Sequence, residues 1–309
     1  MKTVLRFMIR LALLFLFLNV WWTADGNSAE LVPTTANRVH FFALGDQGTG
    51  DQRQKQVARA MEQVATGSHG VDFVLLLGDN FYPDGVNSTT DPQWSTAFEA
   101  IYQGKWLAQT PFLAILGNHD HRGSVAAQIA YGQRRLGSGR WRMQARQEWM
   151  DLGSTSAGQP LLRLVLLDAE LPIAMQADFL RQSLAQGTPL WRVVATHVPL
   201  DSSGRHGSQA ERLEKLLPVM QEMQIDLHLA GHDHHQELIR QPGKPVQVIS
   251  GAGGRALYRV GQRLPGSRFT SAGQHGFVHL ELTSTQLVIT FYDDQARRLH
   301  QEQVRRSGP

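Results

Sequence analysis

The chain has no cysteine. That excludes disulfide staples, thiolate ligands and a cysteine nucleophile, so any metal it binds is held through oxygen and nitrogen. It also has no long block of like charge, no low-complexity linker and no internal repeat, which speaks against a disordered tail or a string of small modules. Its 30 Lys and Arg against 27 Asp and Glu leave a net charge of +3 and a pI near 9.4. The cations are dispersed rather than gathered into a stripe, so this balance suits small anionic molecules, and no nucleic acid partner is expected.

One long apolar run is present, Leu11 to Trp22, behind Lys2, Arg6 and Arg10 and ahead of TADGNSAE. It falls short of the roughly 20 residues that span a bilayer and has the order of a secretory signal peptide. The expected division is a signal peptide at 1–29, a linker at 30–37, a single domain at 38–300 and a C-terminal tail at 301–309. The mature protein is then secreted or periplasmic, free of the membrane and compatible with a monomer.

What the sequence does have is a β-α pattern with repeated punctuation. VHFFALGDQG reads as a strand ending in a turn, QRQKQVARAMEQVATG as an amphipathic helix ending at Gly67, and VDFVLLLGDN as the strand that closes a β-α-β unit. PFLAILGNHD, LLRLVLLDAE, WRVVATHVPL and IDLHLAGHDHH continue the pattern, and VQVISGAGG and FVHLELTSTQLVITFYDD suggest further strands. Five strands end in a small residue followed by Asp, Asn or His. Ligands of open α/β sheets bind outside the carboxyl ends of strands, so residues far apart in sequence can share one site there.

The residues at those ends are Asp46, Asp79, Tyr82, Asn118, His197, His232 and His234. Taken singly, each has an ordinary explanation as a turn former, cap or core histidine. Together they are seven oxygen and nitrogen donors, too many for one ion and suited to two ions that share a bridging carboxylate. A proton donor near such a pair is also required for a leaving alkoxide. His119, with Asp120 beside it as an orienting partner, and His206 in SGRHG are the candidates. The arginine-rich stretch Tyr131 to Trp149 is expected to be a solvated face, and His121, His228 and His235 receive no role.

The ordered motifs GDQG, GDNFY, GNHD, VATH and GHDH resemble the metallophosphoesterases, and Tyr82 resembles the tyrosine of their purple acid phosphatase branch. GDNFYxxGV, GNHDH followed by SVAAQIAY, and SGAG are similar to the small tartrate-resistant type. The resemblance implies an α/β calcineurin-like fold, a two-sheet β-sandwich core flanked by helices with the site at strand C-terminal ends. It implies Fe(III) on Asp46, Tyr82 and His234, a divalent ion (Fe, Zn or Mn) on Asn118, His197 and His232, and Asp79 bridging them. It implies hydrolysis of small phosphorylated substrates, phosphomonoesters first, by direct attack of hydroxide without a phosphoenzyme. A phosphodiesterase or pyrophosphatase on the same centre, or an iron redox protein, are the alternatives. Gln47 stands where close relatives have tryptophan, which puts the pocket lining in question.

Overall fold

The computed structural model describes Val32, Thr34 and residues 37–306. The signal peptide and most of the linker lie outside the described residues. No helix among the described residues is long and apolar enough to cross a membrane.

Two seven-stranded sheets face each other. The first contains β1 (Arg38–Leu44), β2 (Phe73–Leu76), β3 (Phe112–Ala114), β4 (Trp141–Arg142), β12 (Gly276–Thr283), β13 (Gln286–Asp293) and β14 (Arg298–Arg305), in the order β14-β13-β12-β1-β2-β3-β4. The second contains β5 (Glu148–Ser154), β6 (Pro160–Leu166), β7 (Trp191–Ala195), β8 (Leu227–Ala230), β9 (Gln236–Ile239), β10 (Val246–Ser250) and β11 (Ser267–Ser271), in the order β11-β9-β10-β8-β7-β6-β5. Strands β1 to β4 run parallel, as do β6, β7, β8 and β10, so their carboxyl ends lie along one edge of the sandwich.

The period-2 pattern of β1 decides its two faces. Val39, Phe41 and Ala43 enter the core between the sheets, where Phe41 stacks on Phe73 at 4.4 Å between ring centroids. Phe42 and Leu44 point the other way, into a layer covered by α1 (Gln52–Ser68). Helix α1 starts where Asp51 accepts from the Arg53 and Gln54 amides, and it buries Val57, Ala58, Met61 and Ala65 on one stripe. It runs one residue past the expected stop at Gly67, because His69 takes the left-handed conformation and closes the end. Helix α2 (Val125–Gln133) follows the GNHD loop on the same side. On the outer face of the second sheet, α3 (Ile173–Leu184), α4 (Ala210–Lys215) and α5 (Leu217–Glu222) cover Val165 and Val194 with Leu180 and Met220.

Two expectations are corrected here. Residues 301–305 belong to edge strand β14 rather than to a tail. Arg140 is buried instead of forming part of a solvated face, and its guanidinium donates to the Tyr102 and Leu107 carbonyls and to Glu99.

Strand β5 carries an unusual core residue. Glu148 is 8 % exposed and accepts one long hydrogen bond from the Gln144 amide at 3.4 Å. Burial pushes its carboxyl up to about 8 from its ordinary value of 4.5. Between those values the folded chain keeps a proton that the unfolded chain releases, so the stability from this group is full below about 4.5 and lost as pH rises through 8. Glu148→Gln is therefore expected to stabilise the protein by about 4 kcal/mol at pH 8 and by less than about 1 kcal/mol near pH 5. Urea unfolding at the two pH values checks this, and an equal shift at both would contradict it.

Candidate metal centre

Each ligand candidate stands just past a strand. Asp46 follows β1, Asp79 and Tyr82 follow β2, Asn118 follows β3, His197 follows β7, and His232 and His234 follow β8. Short backbone bonds close the edge: the Asp46 amide donates to the Gly78 carbonyl at 3.0 Å and the Gly231 amide to the His197 carbonyl at 3.0 Å. Across the sheets, the Gly45 amide donates to the Ser250 carbonyl at 2.7 Å, tying β1 to β10. Asp46, Asp79 and His232 all sit in the left-handed region, with φ of 59°, 54° and 68°. Such strain in non-glycine residues persists where surroundings over-determine it, and here it turns three donors inward. The glycines beside them leave no room for a side chain: a Cβ on Gly78 would lie 2.6 Å from His197 Nδ1.

The donors converge. Tyr82 Oη lies 3.1 Å from Asp46 Oδ1, 2.8 Å from Asp79 Oδ2 and 3.4 Å from His234 Nε2. Asn118 Oδ1 lies 3.2 Å from both His197 Nε2 and His232 Nδ1. Asp79 stands between these two groups, with Oδ2 toward Tyr82 and Oδ1 3.5 Å from His197 Nε2. One ligand atom from each of Asp46, Asp79 and His197 falls within 4.8 Å of the others. The far nitrogens of two imidazoles are committed elsewhere. His197 Nδ1 meets the Leu77 carbonyl and His234 Nδ1 the Ala256 carbonyl, each at 2.8 Å. Donation to those carbonyls leaves both Nε2 lone pairs facing the centre, the arrangement that orients a metal-binding histidine.

The electrostatics call for positive charge. Asp46 and Asp79 are at most 2 % exposed, and among the described residues no Lys or Arg pairs with either. Burial drives the Tyr82 phenol far above its ordinary range, and the Asp46 and Asp79 charges drive it further. Burial opposes a charge on His197 and His234, yet nearby carboxylates outweigh it and raise both. His232 is held down to about 2, by burial first and then by His197, His206 and His234. A cation among these groups inverts that logic, favouring carboxylate, phenolate and neutral imidazole together. The donor set therefore fits a pair of hard or borderline cations.

The remaining candidates divide. His119 lies at the mouth: its ring is 4.6 Å from the Tyr82 ring, its amide donates to Asp79 Oδ1 at 2.9 Å, and its Nε2 is 3.9 Å from Asp79 Oδ2. Its Nδ1 contacts the Pro83 carbonyl. Asp120 does not orient it. That buried carboxylate accepts from the Gly117 and Asn80 amides and from the Asn80 and Gln128 side chains, so it braces the loop beneath the centre. Burial, and then the Asp79 charge, raise Asp120 to about 6. His206 is exposed, with its ring 4.2 Å from that of His232 and its amide held by Asp233 Oδ1 at 3.0 Å. Gln47 is 1 % exposed and donates to Asn80 Oδ1, so it packs under the site and does not line it.

Sequence reasoning missed several neighbours. His121 Nε2 meets Asp168 at 2.9 Å, and Arg146 Nε donates to the same carboxylate at 2.7 Å. Arg255 lies over the Tyr82 ring and Tyr258 stacks on His234. The strand-end position of Asp168 was a usable signal. Arg255 and Tyr258 belong to a loop that carries no metal motif.

Comparison with known proteins gives the chain a family. The family model described as calcineurin-like phosphoesterase matches residues 39–236. Purple acid phosphatase 3 of Arabidopsis thaliana is 31 % identical over 298 residues, covering 86 % of this chain and 77 % of its own. Human tartrate-resistant acid phosphatase type 5 is 26 % identical over 329 residues, covering 94 % of this chain and 100 % of its own. Among solved structures, GAP50, the anchor in the inner membrane complex of Plasmodium, superposes with a TM-score of 0.77 at 24 % identity, covering 88 % of this chain and 90 % of its own. That last likeness speaks to fold alone, since one fold hosts unrelated functions.

Proposed function

The chain belongs to the calcineurin-like phosphoesterases and, within them, to the purple acid phosphatases, and from that premise we propose that it is a secreted or periplasmic acid phosphatase acting on phosphomonoesters at an Fe(III)-M(II) pair. The observation that carries the reading is the Tyr82 hydroxyl wedged among Asp46, Asp79 and His234, where a phenol between two buried carboxylates makes chemical sense as a phenolate on a cation. Asp46, Tyr82 and His234 would hold the ferric ion. Asn118, His197 and His232 would hold zinc, manganese or ferrous iron, with Asp79 shared. When bound, such a pair supplies Lewis-acid polarisation of the phosphoryl oxygens and an acidified water.

The chain's own residues do the rest. The His119 amide donates to Asp79 Oδ1 and holds it, and the Leu77 and Ala256 carbonyls fix the rings of His197 and His234. His119 Nε2 would hand a proton to the departing alkoxide, with the ring held by Tyr82 and Pro83. His206, whose ring packs on that of His232, would hold a phosphoryl oxygen. Export is supported by the order of charged and apolar residues at the start of the chain.

Visible spectra of the protein reconstituted with Fe(III) and zinc, beside Tyr82→Phe prepared identically, test this. The wild type is expected to show a charge-transfer band that Tyr82→Phe loses at equal bound iron. Bound iron without a band in the wild type would leave Tyr82 as packing and favour a divalent-metal phosphodiesterase working nearer neutral pH.

A further inference from the structure

Beyond the metal centre, the rim carries two guanidiniums that have no acidic partner among the described residues. Arg205 stands in the loop after β7 and Arg255 in the loop after β10, and both are exposed. Arg255 Cζ lies 4.8 Å from the centroid of the Tyr82 ring, and Arg205 Cζ lies 5.1 Å from that of Tyr258. Tyr258 in turn stacks on His234 with centroids 4.0 Å apart and planes 14° apart. The two arginines thus rest on rings that are, or directly cover, two donors of the centre. Among the described residues neither makes an ion pair or side-chain hydrogen bond, whereas Arg146 is taken up by Asp168 and Arg122 faces Asp84 at 3.5 Å.

The platform beneath them is fixed. The Arg255 amide donates to the Asp46 carbonyl at 2.8 Å, and the Tyr258 amide to the His234 carbonyl at 3.0 Å. On the other loop, Asp233 accepts from Ser202 Oγ and from the His206 amide, which flank Arg205. Tyr258 is the shared element: its ring carries Arg205 and covers His234, while Arg255 lies on the neighbouring Tyr82 ring. A guanidinium laid on a ring keeps its planar fork free for an anion, and that fork matches phosphate in a bidentate manner.

We infer that Arg205, Arg255 and the Tyr258 hydroxyl form a second anion subsite beside the metal centre, which selects phosphate compounds whose leaving group carries a further anionic group. The inference rests on the phosphatase reading. A substrate with a neutral leaving group fills the centre alone; one with a second phosphoryl group also engages the two guanidiniums.

The test uses the reconstituted enzyme, wild type and the double variant Arg205→Gln/Arg255→Gln. Two ratios are read: kcat/KM for pyrophosphate over phenyl phosphate, and calorimetric affinity for methylenediphosphonate over methylphosphonate. Loss of two charge-assisted contacts is expected to lower each ratio by about tenfold or more. Unmoved ratios, or equal losses for both members of each pair, overturn the subsite. A wild type that turns over neither compound sinks the phosphatase reading instead, and the affinity ratio still decides the subsite.

Discussion

Changing Asp79 to asparagine is expected to lower kcat/KM for a phosphomonoester by roughly 10³-fold, about 4 kcal/mol of transition-state stabilisation, while leaving the metal-free protein at least as stable as the wild type. The two effects have one cause. Asp79 and Asp46 are both buried, with the Tyr82 hydroxyl within 3.1 Å of each, and no Lys or Arg among the described residues pairs with them. Without cations, two carboxylates in this space repel, so removing one charge relieves the apo fold. Under the proposed assignment Asp79 would be shared by both ions, and asparagine would forfeit that attraction. Wild type is therefore expected to gain about 3 kcal/mol when metal stands at a hundredfold excess over its Kd, and Asp79→Asn to gain much less. Scanning calorimetry of both proteins, metal-free and reconstituted, checks this. A large drop in the melting temperature of the metal-free variant would mean that Asp79 is chiefly a structural residue.

How much of this was legible in the sequence depended on where each residue sits relative to a strand. Asp46, Asp79, Asn118 and His197 were legible because apolar runs such as HFFAL and FVLLL announce parallel strands and stop abruptly at them. Strand β14, RLHQEQVR, was not, because an edge strand with two partly solvated faces carries little hydrophobic period, and its pairing with β13 is made by the backbone. Asp120 was misread for another reason. Adjacency to His119 suggested a contact, but the turn at Asp120–Arg122 sends neighbouring side chains in different directions, one toward Asn80 and Gln128 and the other toward Tyr82. Arg205 meets Tyr258, and Arg255 meets Tyr82, only because loops after β7 and β10 fold over the same edge, and no local pattern encodes those meetings.

The glycine before Asn118 links sequence to catalysis most sharply, and Gly117→Ala is expected to cost about 2 kcal/mol of stability and about 10²-fold in kcat/KM. A Cβ at that position would lie 2.3 Å from both the Asp79 amide nitrogen and Asp79 Oδ1. Neither atom belongs to a flexible tip, since Oδ1 also accepts the His119 amide and Asp79 is held at φ 54°. The loop must therefore move as a unit, carrying Asn118 away from His197 and His232, whose Nε2 and Nδ1 it meets at 3.2 Å. Displacing a positioned group by about 1 Å costs on the order of 10²-fold even when the reacting residues are intact. Urea unfolding and kcat/KM measured on the same reconstituted preparation separate the two losses. Full activity in a well-folded Gly117→Ala protein would show that Asp79 and Asn118 need not hold this spacing, and the division of the seven donors between two ions would have to be redrawn.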